Sequence, residues 1–407
     1  MIASRIRLIL GLELIAYFFA APYIILLGLD ENRGVLGADV SMDYRLWAYA
    51  LLLGIYPFLL MLVSPYIGRQ LDQRRSKISV LRKIHLANST CYLLLGAASW
   101  LHNYPLAILA LCIPGVVGCA SPVGKSLVAS LTQPEVRTQE FAKLAFMKGV
   151  AKLSVPLLGA FVFKVFLGES SYTPLFVVSA ILSLSCFLYS FTFPHLTVLE
   201  CESPLNCQSP PISTYRTLIP LIRKNYSLLL AFVVLVTGYS VFVKYTPFVI
   251  FEKIGNNPSI VNYFASMVGL AFTLNQFIIF RYADRVKKLI GAIFAFLCSM
   301  TILLCFMPVG PFWFLSFFGI LFCFSVLMTC IEASLSLQGG GVNQGTVQGF
   351  LYSVENWGYI IAPIIGSFVA SFSTLSPFYF VISLAFMAAA FYAHARFKYQ
   401  ASLVAQS

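Results

Sequence analysis

Seven charged side chains lie inside segments of the chain that are otherwise apolar. They are Glu13, Lys125, Lys148, Lys152, Lys244, Glu332 and Glu355. A carboxyl group that meets water in one state and an ammonium group in another can bind and release a proton. A charge placed in lipid costs roughly 2.5–3.5 kcal/mol, so the seven together would cost about 20 kcal/mol. We therefore expect them to line a wet cavity, where they bind a substrate or a proton.

Simpler interpretations exist for each of these residues. Lys244 lies near one end of its segment and Lys148 near an end of another, so each ammonium group could reach the membrane surface. For the five deeper residues the alternative is a structural ion pair. If the charges do face one cavity, four Lys against three Glu favour an anionic or zwitterionic ligand.

The segments that carry these charges are long enough to cross a membrane. Of the 407 residues, 59% are hydrophobic and only 10% are charged, whereas soluble domains average about 25% charged. A helical span needs roughly 20 apolar residues. Twelve segments qualify, near residues 7–28, 46–67, 81–101, 105–131, 140–166, 173–193, 226–248, 258–280, 289–307, 310–334, 346–370 and 375–396. We interpret the first as a retained span rather than a cleaved signal peptide.

The net charge of +12 could indicate nucleic-acid binding, but the cations are not spread evenly. They concentrate in alternate loops, such as residues 69–77 and 281–288, while the loop from Asp30 to Asp43 is acidic. Lys and Arg are retained on the cytoplasmic side of membrane proteins. This distribution predicts a protein embedded in a lipid bilayer, with both termini cytoplasmic and no nucleic-acid partner. We expect the bacterial inner membrane.

The basic run between the second and third segments begins at Gly68 and continues through Asp72 to Arg74 and Arg75. It resembles the G-x-x-x-D-R-x-G-R-R loop of major facilitator superfamily transporters, with Gln73 where the family usually has Arg and Arg75 where it has Gly. The resemblance implies that Asp72 caps a helix start across the bundle interface in one conformation and releases it in the other. The alternative is a loop that serves only for topology.

The two halves of the chain repeat each other. Pro156 and Gly159 recur as Pro363 and Gly366, 207 positions later. The same shift of 207 positions aligns Lys125 with Glu332 and Lys148 with Glu355. The second half also has a basic run between its second and third segments, which contains Asp284 and Arg285. We expect this run to gate the second half as the Asp72 loop gates the first.

The fifth segment resembles the G-x-x-x-G-P-x-x-G-G motif of drug/proton antiporters. Gly149, Pro156 and Gly159 are retained, but Val155 and Ala160 replace two glycines. In that family the motif is associated with export. The alternative is a proline-kinked helix whose small residues serve packing.

These resemblances imply an all-α membrane protein with twelve transmembrane helices in two pseudo-symmetric six-helix bundles. The expected divisions are an N-terminal bundle over 1–194, a cytoplasmic linker with an amphipathic helix over 195–225, and a C-terminal bundle over 226–407. In that fold the first, fourth, seventh and tenth spans line a central cavity, and these contain Glu13, Lys125, Lys244 and Glu332.

The resemblance further implies a monomeric secondary transporter that moves a small organic solute by alternating access, coupled to protons and directed outward. The alternative within the class is a proton symporter that imports an anionic metabolite or a carboxylate siderophore. The alternative from another class is a non-transporting receptor or scaffold. We expect no enzyme, since no nucleophile motif or paired His is present, and no cofactor. The spacing of Cys201 and Cys207 is not that of a common zinc site, so we expect no metal.

Overall fold

The structure is a computed structural model that describes residues 2–37, 39–73, 77–131, 134–162, 171–192, 214–254, 258–306, 311–338 and 344–404. Within these residues the secondary structure is helical. The helices are α1 Ile2–Leu29, α2 Met42–Gln73, α3 Lys77–Trp100, α4 Tyr104–Val117, α5 Ala120–Leu131, α6 Pro134–Val162, α7 Thr173–Tyr189, α8 Thr214–Ile254, α9 Pro258–Phe306, α10 Pro311–Gln338, α11 Gln344–Ala370 and α12 Ser376–Val404. A single 3-10 turn, Ser190–Thr192, follows α7.

Seven helical segments in the described part of the chain are long and apolar enough to cross a membrane. They are Ile6–Leu29, Met42–Gly68, Tyr104–Gly124, Thr173–Thr192, Ile222–Ile250, Phe312–Glu332 and Ser376–Lys398. A shorter apolar helical segment, Leu289–Cys305, accompanies them. The all-α architecture predicted from the sequence is confirmed.

The fourth predicted span is broken into two helices. Asn103 begins α4 by accepting a hydrogen bond from the Leu106 amide at 2.9 Å, and the helix ends at Gly118. Gly118 has φ 114°, a left-handed conformation that favours glycine. A Cβ atom at this position would also collide with Ile67 of α2. The break therefore requires glycine both for its backbone angle and for the close approach of α2.

The expected amphipathic segment and the seventh span both lie within α8, which is kinked between them at Asn225, where the backbone angles are not helical. The predicted loop over 281–288 is wrong, because these residues are helical and lie inside α9, which is 49 residues long. This run contains no Gly or Pro that would end a helix. At 1.5 Å per residue, α9 amounts to about 73 Å of helix, a length that contains both predicted spans of about 30 Å each.

The buried apolar side chains form separate clusters in the two halves. The larger cluster comes mainly from α8 to α12, with Leu29, Leu46 and Tyr49 added from the first half. Two smaller clusters are built from α1 to α7. The boundaries of the two bundles remain a prediction, since residues 193–213, with Cys201 and Cys207, lie outside the described part of the chain.

Candidate functional site

The halves meet along two pairs of helices, and the first pair is α2 with α11. Near one end of the interface Ser367 Oγ donates to the Leu46 carbonyl oxygen at 2.8 Å. Further along, Ser353 Oγ donates to the Met61 carbonyl oxygen, also at 2.8 Å. At the other end a Cβ atom on Gly349 would lie 2.7 Å from the Ser64 carbonyl oxygen. The two helices therefore stay in contact from one end to the other.

The second pair is α6 with α9, and here glycines bring the backbones together. A Cβ atom on Gly269 of α9 would lie 2.5 Å from the Lys152 carbonyl oxygen of α6. One on Gly149 of α6 would lie 2.7 Å from Thr273 Oγ1 of α9. Lys152 is therefore fixed at the point where the two halves approach each other most closely along this pair.

The Lys152 side chain reaches from α6 into the second half. Its Nζ atom donates a hydrogen bond to Tyr239 Oη of α8 at 3.0 Å. The same atom lies 4.2 Å from the ring centroid of Phe272, 5.6 Å from that of Tyr239 and 5.8 Å from that of Phe18. Aromatic faces attract cations at these distances. The ammonium group is thus held between the halves by one hydroxyl group and three rings.

Glu355 and Lys244 complete this arrangement. Tyr359 Oη donates to Glu355 Oε1 at 2.9 Å, while Lys244 Nζ donates to the Tyr359 carbonyl oxygen at 3.2 Å. Glu355 is also close enough to Lys152 for the two charges to interact. We call Lys152, Tyr239, Lys244, Glu355 and Tyr359 the central cluster. It places Lys152 at Tyr239, and Lys244 and Glu355 at Tyr359, near the junction of the halves.

Glu13 occupies a different environment from the one expected for it. Its Oε2 atom lies 2.7 Å from His85 Nδ1 and accepts from Ser183 Oγ at 3.0 Å, and its Oε1 atom accepts from Asn88 Nδ2 at 2.5 Å. The residue is buried. Partners on α3 and α7 therefore hold Glu13 inside the first half, whereas the sequence analysis expected it to face the central cavity.

The surroundings of Glu13 also include Cys186. Ligand atoms of Glu13, His85 and Cys186 lie within 4.8 Å of one another. However, the carboxylate and the imidazole are hydrogen-bonded to each other, and Cys186 Sγ donates to the Ile9 carbonyl oxygen at 3.6 Å. Although His85 Nε2 is buried without a hydrogen-bond partner, the other atoms bond to one another or to the backbone, and we interpret them as a hydrogen-bonded network within the first half.

The repeated proline and glycine positions occupy equivalent packing sites. A Cβ atom on Gly159 would lie 3.2 Å from Tyr23 Oη, and one on Gly366 would collide with the Tyr245 ring. Each glycine thus packs against a tyrosine from the first helix of its own half. Tyr245 Oη also donates to the Pro363 carbonyl oxygen at 2.7 Å.

The other predicted site residues are only partly placed. Lys148 is exposed one helical turn before Lys152, and Glu332 is half-buried on α10. The Gly68 backbone lies beside Gly349 of α11, because a Cβ atom on Gly349 would be 3.2 Å from the Gly68 Cα atom. Several predicted residues or their side chains lie outside the described part of the structure: Asp72, Arg74, Arg75, Lys125, Asp284 and Arg285.

Sequence reasoning did not find Tyr239, His85, Asn88 or Ser183. A signal for two of them was present, since His85 and Asn88 lie three positions apart and so share one face of a helix. Tyr239 had no such signal, because the chain contains 21 tyrosines and most of them would be expected to serve packing.

A sequence profile described as Major Facilitator Superfamily matches residues 8–340. The chain belongs to the major facilitator superfamily. It is therefore a multi-pass integral membrane transporter and not an enzyme. The resemblance seen in the basic loops and the internal repeat is confirmed at this level.

Curated relatives in the superfamily include two tetracycline resistance proteins of Escherichia coli. The class B protein is 23% identical over 329 residues, which cover 78% of this chain and 77% of the relative. The class E protein is 25% identical over 332 residues, which cover 79% of this chain and 78% of the relative.

Solved structures of the superfamily share the fold. The human organic anion transporter MFSD10 (TETRAN) aligns with a TM-score of 0.71 at 18% identity, covering 96% of this chain and 98% of that one. A D-xylose-proton symporter aligns with a TM-score of 0.70 at 14% identity, covering 96% of both chains. At these identities the likeness concerns the fold alone.

Proposed function

We propose that this transporter exports a small zwitterionic organic molecule in exchange for protons, by alternating access. The observation that carries the proposal is the position of Lys152, whose ammonium group crosses from the first half to Tyr239 of the second at 3.0 Å. A ligand that replaces Tyr239 as the partner of Lys152 changes the contact between the halves, and only such differential binding can shift their equilibrium.

The central cluster offers complementary groups for both ends of a zwitterion. An acidic group of the substrate binds Lys152 and Lys244, while an aromatic part stacks on Phe272, which already lies 4.2 Å from the ammonium group. A cationic group of the substrate binds Glu355. Since a cation and a proton cannot share one carboxylate, substrate and proton compete at Glu355. Competition of this kind is what exchange in opposite directions requires.

A second function is favoured by the closeness of Glu355 to Lys152. For a purely anionic substrate, ionised Glu355 would compete with the substrate for Lys152. Protonation of Glu355 would then promote substrate binding, and proton and anion would travel together. This is the importing symporter foreseen as the alternative in the sequence analysis. The two functions therefore differ in one respect: in the exporter a bound proton opposes substrate binding, and in the symporter it promotes substrate binding.

Membrane vesicles test the direction of transport. Respiration acidifies the lumen of everted vesicles, so an exporter accumulates its substrate there, whereas a symporter accumulates it in right-side-out vesicles. Tetracycline, suggested by the names of the relatives, and fluorescein, a simple organic anion, serve as probes. We expect energised accumulation of tetracycline in everted vesicles, lost in Lys152→Met and Glu355→Gln. Accumulation only in right-side-out vesicles would reverse the proposed direction.

Glu31→Gln is the matched control, because Glu31 is an exposed carboxylate in the loop after α1. It should transport like the unmodified protein. If uncouplers leave accumulation unchanged in every preparation, the protein is not coupled to protons and the proposal fails.

A further inference from the structure

Arg45, in the first turn of α2, is the largest almost completely buried side chain among the residues that the structure describes. Only 1% of its surface is exposed. Its Nη2 atom donates to the Gly37 carbonyl oxygen at 2.7 Å, but Nε and Nη1 have no hydrogen-bond partner. A guanidinium group has five N–H donors, and the bare Nε and Nη1 atoms carry three of them. Most of its hydrogen-bonding capacity is therefore unused in a buried setting.

Loss of a proton does not relieve the cost of burying Arg45, because the guanidinium group of arginine stays charged in proteins. Buried charges are normally paired. Among the described residues, no carboxylate oxygen lies within 4.0 Å of Arg45. Asp30, a buried carboxylate in the loop that precedes α2, accepts from the amides of Asn32 and Arg33 and from Tyr172 Oη. Arg45 thus has the donors for an anion but no anionic partner on the described chain.

The position of Arg45 ties it to the contact between the halves. The next residue, Leu46, accepts the hydrogen bond from Ser367 of α11 at 2.8 Å. One turn further, Tyr49 Oη donates to the Lys244 carbonyl oxygen of α8 at 2.8 Å. Both bonds join the first half to the second at this end of the molecule. Separation of the halves here breaks both bonds beside Arg45 and opens a path to its free donors.

We propose that Arg45 anchors an anion-binding site at this end of α2, one that opens when the halves separate. Its ligand is a small monoanion, either a halide or the carboxylate of an organic anion. This proposal rests on the proposed function in one respect, since both require that the two halves separate at this end of the molecule. The site is linked to the central cluster through Tyr49, which lies one turn from Arg45 on α2 and donates to the carbonyl oxygen of Lys244.

Anion binding is measured on the purified full-length protein without any transport. Thermal unfolding is recorded at constant ionic strength while isethionate is replaced by chloride in one series and by acetate in another. A ligand that binds the folded state raises the unfolding temperature in a saturable manner. We expect such a rise for the unmodified protein and none for Arg45→Gln. A rise with chloride alone identifies a halide site, and a rise with acetate identifies a carboxylate site.

Three further variants keep the test decisive if Arg45→Gln does not fold. Arg45→Lys retains the charge and should retain a weaker anion response. Arg82→Gln is the matched control, since Arg82 is a partnered arginine that donates to Ser190, and it should keep the full response. Asp39→Asn should respond like the unmodified protein. The proposal is overturned if neither anion acts on the unmodified protein, if Arg45→Gln responds equally, or if a response appears only in Asp39→Asn, which would make Asp39 the partner.

These outcomes do not depend on the transported substrate. If the vesicles show no transport but the purified protein still responds to anions, the proposed function is contradicted and the Arg45 site is not. If the vesicles show transport but the purified protein does not respond to anions, only the Arg45 site is contradicted.

Discussion

Gly269→Ala is the substitution whose effect follows most directly from the structure. The new methyl group would lie 2.5 Å from the Lys152 carbonyl oxygen, whereas ordinary contacts begin at 3.4 Å. The obstacle is backbone, which cannot rotate aside as a flexible side chain would. Two further backbone atoms, Leu153 N and Lys152 C, would lie closer still, so helices α6 and α9 must separate by more than about 0.9 Å at the point where Lys152 crosses between the halves.

The size of the effect can be worked out from this displacement. Overpacking of this kind costs about 1–3 kcal/mol. A movement of more than about 0.9 Å also stretches the 3.0 Å bond between Lys152 Nζ and Tyr239 Oη beyond hydrogen-bonding distance. Since a cost of 1–3 kcal/mol changes an equilibrium about 5–150-fold, we expect a shift of that size away from the packed conformation.

Transport in vesicles and thermal unfolding of the purified protein together test this reasoning. We expect Gly269→Ala to insert normally, to unfold at a lower temperature and to transport at least about fivefold more slowly. Gly291→Ala is the matched control on the same helix, because nothing lies within 4 Å of a Cβ atom there. A Gly269→Ala protein with unchanged transport and unfolding would refute the inferred need for backbone contact between α6 and α9.

Glu332→Gln and Glu355→Gln are each expected to abolish uphill, pH-driven transport but to preserve downhill exchange, because glutamine cannot carry a proton; vesicle uptake with and without a pH gradient measures both. Asp72→Asn is expected to slow turnover while leaving ligand affinity intact, since the resemblance assigns Asp72 to the equilibrium between conformations; binding and transport assays separate the two effects. Glu13→Ala is expected to lower the free energy of unfolding by about 3 kcal/mol. His85, Asn88 and Ser183 each lose a hydrogen-bond acceptor, and each loss costs about 1 kcal/mol or more. Chemical denaturation of the purified protein measures this free energy.

Each of these predictions has a contrary outcome. If both Glu→Gln variants still concentrate substrate against its gradient, neither carboxyl carries the proton. A normal transport rate in Asp72→Asn would reduce the basic loop to a signal for topology. For Glu13, the control is Glu31→Ala, which removes an exposed carboxylate and should leave stability unchanged. A Glu13→Ala protein as stable as that control would mean that the His85 contact contributes nothing.

The sequence was sufficient for the architecture and for part of the central cluster. The charge pattern of the loops and the repeat of Pro156 as Pro363 predicted the superfamily that the profile match confirms. Lys152, Lys244 and Glu355 stand out in a sequence because charges are costly in apolar segments. The structure places Lys244 and Glu355 at Tyr359 and Lys152 at Tyr239, but their roles in transport remain predictions.

The rest was hidden because sequence spacing does not report contacts between distant helices. Tyr239 becomes a partner of Lys152 only when α8 meets α6, and a tyrosine in an apolar segment carries no cost that would mark it. His85 and Glu13 are 72 positions apart, so nothing local links them. The break at Gly118 was likewise one glycine among several in its segment, distinguished only by its backbone angle.

That break has a consequence for the synthesis of the protein. Helix α4 has 14 residues and α5 has 12, which correspond to about 21 Å and 18 Å. Neither length covers a hydrocarbon core about 30 Å thick. The insertion machinery must therefore accept both helices as one unit, and the unbroken apolar stretch Tyr104–Gly124 is long enough to be accepted. The left-handed turn at Gly118 then forms after insertion, when this stretch packs against α2, which precedes it in the chain, so the helix that enters the membrane differs from the pair of helices that the finished transporter uses.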